Sequence, residues 1–220
     1  MNQLHYTLQD HSQLPTQLDW LTSGERTRLD GFRFEKRRRD WLLGRWTAKL
    51  ALLEAAGLPH EEIGRIEIAA ASDGAPAPRI DGRPCQAQLS LSHSNGRAFS
   101  AVLQGTAELG CDIERIETRS DAFVDTFFTA AERERVERAD PDSRDTLVTM
   151  IWSAKESTLK ALRTGLSVDT RSVEVIDDGE LSRHGWTKAR VVAGNAGEFL
   201  CRWRVDGQCV LSIVSRRLSV

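Results

Sequence analysis

The order of periodic segments constrains this chain most: two long helical stretches, each followed by short strand signals. The first helical period runs from Glu35 to Ala56 and meets a strong stop, with Gly57 just past it and Pro59 two residues on. Arg65–Ala71 then alternates before the turn-rich Ser72-Asp73-Gly74-Ala75-Pro76. Gln88–His93 and Arg97–Leu103 read as strands joined by Ser94-Asn95-Gly96, and Ala107–Glu114 as a third. The second helical pattern spans Thr129–Leu162, broken at Asp140-Pro141-Asp142. Beyond Gly165 come four strand signals, Ser172–Ile176, Trp186–Val192, Phe199–Val205 and Val210–Val214, the last two forming a hairpin through Asp206-Gly207-Gln208. Tight turns join antiparallel neighbours, so the pattern predicts an α+β chain of two similar halves, 1–106 and 107–220, with mostly antiparallel sheets.

Composition removes several classes of function. Thirty Lys+Arg balance 32 Asp+Glu, a net charge of −2 that gives no global pull toward nucleic acid or membrane. No run approaches the ~18 apolar residues of a membrane span, and the opening MNQLHYTLQDHSQ has neither the basic nor the apolar region of a secretory signal. Cys85, Cys111, Cys201 and Cys209 form no CxxC pair, and His5, His11, His60, His93 and His184 form no HExxH. These features predict a reduced, cytoplasmic protein without structural zinc.

Four constellations carry chemistry. On the first helix, at about 100° per residue, Arg38, Arg45 and Lys49 fall on one line flanked by Trp41, Leu42, Trp46, Leu52 and Leu53. Charges on a packed face are costly when isolated, so these cations snorkel to solvent, pair with carboxylates at the core edge, or face a bound phosphate. Ser90-Leu91-Ser92-His93-Ser94 ends a strand, offering hydroxyls and an imidazole to a ligand, although taken alone Ser92-His93-Ser94 is better explained as a strand end with a turn-capping serine. No GxSxG elbow supports a serine hydrolase.

In Gly110-Cys111-Asp112-Ile113-Glu114, Asp112 and Glu114 share one face of a strand, where their repulsion is relieved by a hard divalent cation or by solvent. In Trp152-Ser153-Ala154-Lys155-Glu156-Ser157-Thr158-Leu159-Lys160, Lys155 sits in the middle of an apolar helix face, with Glu156 and Lys160 paired on its flank. Thr129-Ala130-Ala131-Glu132 is a capping box, which by itself accounts for Thr129 and Glu132.

Together WLLGRWTAK (41–49), SLSHS (90–94), GCDIE (110–114), FFTAAE (127–132) and WSAKESTLK (152–160) resemble the longer, two-half 4′-phosphopantetheinyl transferases that serve polyketide, nonribosomal-peptide and fatty-acid carrier proteins. The resemblance covers residues 35–165 and implies two similar halves related by pseudo-twofold symmetry, each a helix on a small antiparallel sheet, with the ligand in the cleft between them. It implies transfer of 4′-phosphopantetheine from coenzyme A to a serine of an apo acyl or peptidyl carrier protein, by a monomer. Asp112, Glu114 and Glu156 would hold Mg2+. Arg38, Arg45, Lys49, Ser92 and His93 would bind the 3′-phosphate and adenosine end. Lys155 and Lys160 would approach the pyrophosphate, with Glu132 near the metal. Glu156, or a water held by the metal, is the candidate base for the serine proton, and Lys160 the candidate group for stabilising the leaving bisphosphate. Where the family often has Gly-Lys-Pro, this chain has Gly74-Ala75-Pro76, so either one phosphate contact is lost or Arg79 or Arg83 replaces the lysine. Two other readings remain: a silent coenzyme A- or nucleotide-binding module, and a nucleic-acid binder using Lys36-Arg37-Arg38-Arg39, which has no wider basic surface to support it.

Overall fold

The computed structural model describes residues 3–181 and 185–216, so His184 lies outside the described residues. These residues form two compact units, 3–107 and 108–216. No helix among them is long and apolar enough to cross a membrane.

In the first unit β1 (Leu4–Asp10), β5 (Ala87–Ser94) and β6 (Arg97–Gln104) form an antiparallel sheet in the order β1-β6-β5. Asn95 (φ 48°) and Gly96 (φ 76°) are both left-handed, the geometry a two-residue hairpin requires. The long helix α2 (Glu35–Ala56), preceded by α1 (Ser23–Asp30), packs on this sheet. A second sheet joins β2 (Ile66–Ala70), β3 (Pro76–Ile80) and β4 (Arg83–Pro84). Trp20, Leu42, Trp46, Leu52 and Ile66 lie in the core.

The second unit is one five-stranded antiparallel sheet, made of β7 (Leu109–Arg115), β8 (Val173–Leu181), β9 (Thr187–Ala193), β10 (Gly197–Asp206) and β11 (Cys209–Ser215) in the order β7-β11-β10-β9-β8. Helices α3 (Asp121–Phe127), α4 (Ala130–Arg138) and α5 (Pro141–Ala161) accompany it, and α5 lies against β7 and β11. The sequence pattern anticipates the break at Asp140-Pro141, since proline is tolerated in the first helical turn. It misses β1, α1, β3, β4 and α3.

Small residues set how closely α5 approaches the sheet. A Cβ at Gly110 would lie 1.8 Å from the carbonyl oxygen of Ser157 and 2.8 Å from the amide nitrogen of Ala161. Beside it, the buried Ser212 hydroxyl is 2.8 Å from Ser153 Oγ and 2.7 Å from Ser157 Oγ. Ser212 is the cross-strand partner of Asp112. Gly110→Ala is therefore expected to push α5 off the sheet and lower stability by about 3 kcal/mol, the upper end for overpacking. A urea melt checks this, and a parent-like midpoint would show that the backbone yields at little cost.

A buried ion pair ties each unit. Lys49 on α2 has no exposed surface; its ammonium lies 2.6 Å from Glu25 Oε2 and donates to the Trp20 carbonyl at 2.7 Å. Glu25 closes the capping box of α1 with Thr22, and its Oε1 accepts the Ile68 amide of β2 at 3.0 Å. In the second unit Lys155 on α5 lies 2.8 Å from Glu132 Oε2 and donates to the carbonyls of Thr170 and Val173, both side chains being fully buried. Glu132 closes the capping box of α4 with Thr129, and its Oε1 accepts the Val175 amide of β8 at 2.8 Å. In both units the glutamate and its strand amide are 43 residues apart. The internal repeat thus lies in positions and contacts, where a comparison of residue identities does not find it.

Candidate functional site

β7 and the C-terminal half of α5 bring together four residues of the second unit. Asp112 is 2% exposed, and Lys160 Nζ lies 2.7 Å from its Oδ1, 3.3 Å from the Cys111 carbonyl and 4.0 Å from Glu156 Oε2. Glu114 and Glu156 are half-buried. Trp152 favours the charged form of Glu114, and Arg119 reaches to 3.8 Å from it while pairing with Glu117 at 3.0 Å. Arg119 was not singled out in the sequence, since it lies in a loop with no periodicity.

The acidic groups oppose one another's ionisation. Burial first, then the charges of Asp112 and Glu156, push the Glu114 carboxyl up to about 7. Burial and Asp112 likewise raise Glu156 against the opposing pull of Lys160. Burial disfavours the Lys160 ammonium, but the charge and hydrogen bond of Asp112 outweigh this and raise its pKa. Among the described residues no three His, Cys, Asp or Glu side chains are arranged as a ready-made ion site, and the cation inside this cluster is the protein's own lysine. The donor chemistry nonetheless fits a hard divalent ion: three carboxylates, all oxygen, whose mutual repulsion such an ion would relieve.

A pH dependence follows. The folded Glu114 binds its proton up to about 7, against 4.5 for the unperturbed group. Its contribution is complete below the lower value and is lost as pH rises toward the higher one. In metal-free buffer, stability is expected to decline across this window and Glu114→Gln to flatten the decline, read by thermal melts at several pH values. An unchanged slope would mean that Glu114 is already ionised.

The first unit holds a cavity of about 1160 Å³ whose polar wall includes Arg28, Lys36, Arg37, Arg45 and His93. Gly44 and Gly74 complete parts of that wall; a Cβ at Gly44 would come within 3.1 Å of the Leu91 side chain. The Arg45 guanidinium stacks 5.0 Å above the Trp41 ring, and burial lowers its pKa while Glu25 partly compensates. Its Nε is buried without a hydrogen-bond acceptor.

The structure separates residues that the helical line grouped. Arg45 lines the cavity, Arg38 does not, and Lys49 is in the core with Glu25, the core-edge carboxylate alternative. Likewise His93 and Leu91 face the cavity, whereas Ser92 is buried and does not line it. Arg79 donates to the Gly82 carbonyl, and Arg83 lines a different hollow near Cys85. Lys155, expected at the pyrophosphate, spends its protons on Glu132 and two carbonyls and presents no surface to a ligand. Arg28 escaped the sequence reading because α1 did, although the Thr22–Glu25 capping box marks its start.

Residues 108–204 match the model of the 4′-phosphopantetheinyl transferase superfamily. Over this segment the chain is similar to that superfamily. The matched segment of the superfamily contains Asp112, Glu114, Glu132, Lys155, Glu156 and Lys160. The chain is 31% identical over 96 residues to a 4′-phosphopantetheinyl transferase of Bacillus subtilis, covering 43% of this chain and 42% of that protein. It is 30% identical over 126 residues to 4′-phosphopantetheinyl transferase AcpT of Salmonella typhimurium, covering 56% and 58%. The chain thus spans about half the length of the curated relatives it matches. A holo-(acyl-carrier-protein) synthase of Bacillus anthracis, solved in complex with CoA (3′,5′-ADP), aligns with a TM-score of 0.40 at 24% identity, over 47% of this chain and 96% of that one.

Proposed function

We propose that this chain transfers the 4′-phosphopantetheine group of coenzyme A to a serine hydroxyl of an apo acyl or peptidyl carrier protein, releasing adenosine 3′,5′-bisphosphate. The observation that carries this reading is the clustering of Asp112, Glu114, Glu156 and Lys160 on β7 and α5, inside the segment that matches the superfamily. The names of the two relatives support the reaction class.

Asp112, Glu114 and Glu156 would hold Mg2+, which when bound supplies charge neutralisation at phosphoryl oxygens. The remaining work falls to side chains. Serine Oγ bonds to the phosphorus that carries pantetheine, and the bond from that phosphorus to the bisphosphate oxygen breaks. Glu156, whose burial already favours its protonated form, receives the serine proton. Lys160, kept charged by Asp112, meets the negative charge growing on the departing bisphosphate. Lys155 acts at one remove, as a positioning residue that anchors the helix bearing Glu156 and Lys160. Arg45 and His93, with Arg28 and Arg37, bind the 3′-phosphate and adenosine end.

Coenzyme A and 3′-dephospho-coenzyme A separate this binding mode from a packing role. A charge-assisted contact is worth about 1.5–3 kcal/mol, so Arg45→Ala should weaken coenzyme A by roughly tenfold or more. The dephospho analogue should lose much less, as measured by calorimetric titration. Equal losses for both ligands would return Arg45 to the fold.

A further inference from the structure

Phe34 is a feature of the first-unit cavity that the transfer reading leaves unused. It is 73% exposed, immediately precedes α2, and lines the same cavity as Arg28, Arg37, Arg45 and His93. The other aromatic rings of that wall already have partners. The guanidinium carbons of Arg28 and Arg37 lie 5.8 and 6.0 Å from the Phe32 ring, Arg45 covers Trp41 at 5.0 Å, and the Phe32 and Trp41 rings are 5.6 Å apart. Phe34 has no ring or cation neighbour of this kind among the described residues.

Nor does Phe34 belong to an apolar docking patch. The other exposed large hydrophobics among the described residues, Val168 and Val205, lie in the second unit, and the sequence around Phe34 is charged: Arg33, Glu35, Lys36 and Arg37. One free aromatic face beside guanidinium and ammonium groups fits a ligand that is itself flat, aromatic and anionic. A nucleotide meets that description: its phosphates suit the cations and its base suits the ring.

We infer that Phe34 supplies the stacking face for the purine base of the nucleotide bound in this cavity. The inference rests on the reading of coenzyme A as substrate but can be tested apart from it. Phe34 makes no side-chain capping bond and is mostly in solvent, so its replacement leaves the helix start intact.

The experiment is calorimetric titration of parent, Phe34→Ala, Phe34→Leu and Phe34→Trp with coenzyme A, adenosine 3′,5′-bisphosphate and 4′-phosphopantetheine, with melting curves as a fold control. Phe34→Ala is expected to weaken coenzyme A and the bisphosphate by about tenfold, within the range for base–aromatic stacking. Phe34→Leu should lose most of that and Phe34→Trp almost none. 4′-Phosphopantetheine, which lacks the base, should be indifferent to all three. Parent-like binding of both nucleotides by Phe34→Ala overturns the inference, as does an equal loss for 4′-phosphopantetheine. If the bisphosphate shows the expected pattern while coenzyme A does not bind the parent, the stacking assignment stands and the transfer reading falls. Binding of neither nucleotide by the parent overturns both.

Discussion

Lys155→Met is expected to lower the unfolding free energy by about 3–5 kcal/mol, because it strands a carboxylate in the core. Glu132 has no exposed surface, and its partners are Lys155 at 2.8 Å, the Thr129 amide at 2.8 Å and the Val175 amide at 2.8 Å. Burial alone pushes the Lys155 ammonium toward neutrality, and Glu132 opposes this. Capping alone would put the loss for Glu132→Ala at about 1 kcal/mol. The ion pair and the strand amide raise that expectation to several kcal/mol. Adding Glu132→Gln to Lys155→Met should recover part of the loss, since a neutral amide can still accept one backbone hydrogen without leaving a charge. A double-mutant cycle from urea melts reads this coupling. If Lys155→Met melts like the parent yet loses its reaction, the lysine contacts ligand directly after all. The equivalent pair of the first unit, Lys49 and Glu25, should behave alike.

The opposite signature is expected at Asp112: activity lost, fold kept. Asp112→Asn retains an oxygen for Lys160 but removes a charge from the proposed ion site. Transfer should drop by at least about 10²-fold, the scale of losing one preorganised electrostatic contact in a phosphoryl-type reaction. Asparagine is the cleaner substitution, because alanine would remove the 2.7 Å contact with Lys160 altogether. Magnesium with coenzyme A should raise the melting temperature of the parent by mass action and that of the variant far less. The paired readouts are a transfer assay and melts with and without ligand. A variant that transfers at near-parent rate would reduce the carboxylates to a solvated strand edge.

What the sequence shows here divides along a physical line. Features set by near neighbours are legible: the stop after Ala56, the Asn95-Gly96 and Gly207-Gln208 turns, and the break at Pro141. The Asp112–Glu114 pair is legible too, because period 2 puts both on one strand face. A helical wheel says which side of α2 or α5 a lysine occupies but not what covers that side. The partners of Lys49 and Lys155 lie on separate elements, α1 and α4, and only the fold brings Glu25 and Glu132 to them. β3 is hidden by Pro76 and Pro78, residues that argue against a strand, although both occupy register positions in its pairing with β2. The cavity wall is hidden for a similar reason, since Arg28, Arg37 and His93 come from three different elements.

Intact-mass analysis tests the central claim most directly. A panel of apo acyl and peptidyl carrier proteins is incubated with the chain, coenzyme A and Mg2+, with Asp112→Asn run in parallel. The account predicts that at least one carrier gains the mass of one 4′-phosphopantetheine group with the parent and none with the variant. Carriers left unmodified across the panel by a folded, coenzyme A-binding parent, or modified equally by Asp112→Asn, would contradict it.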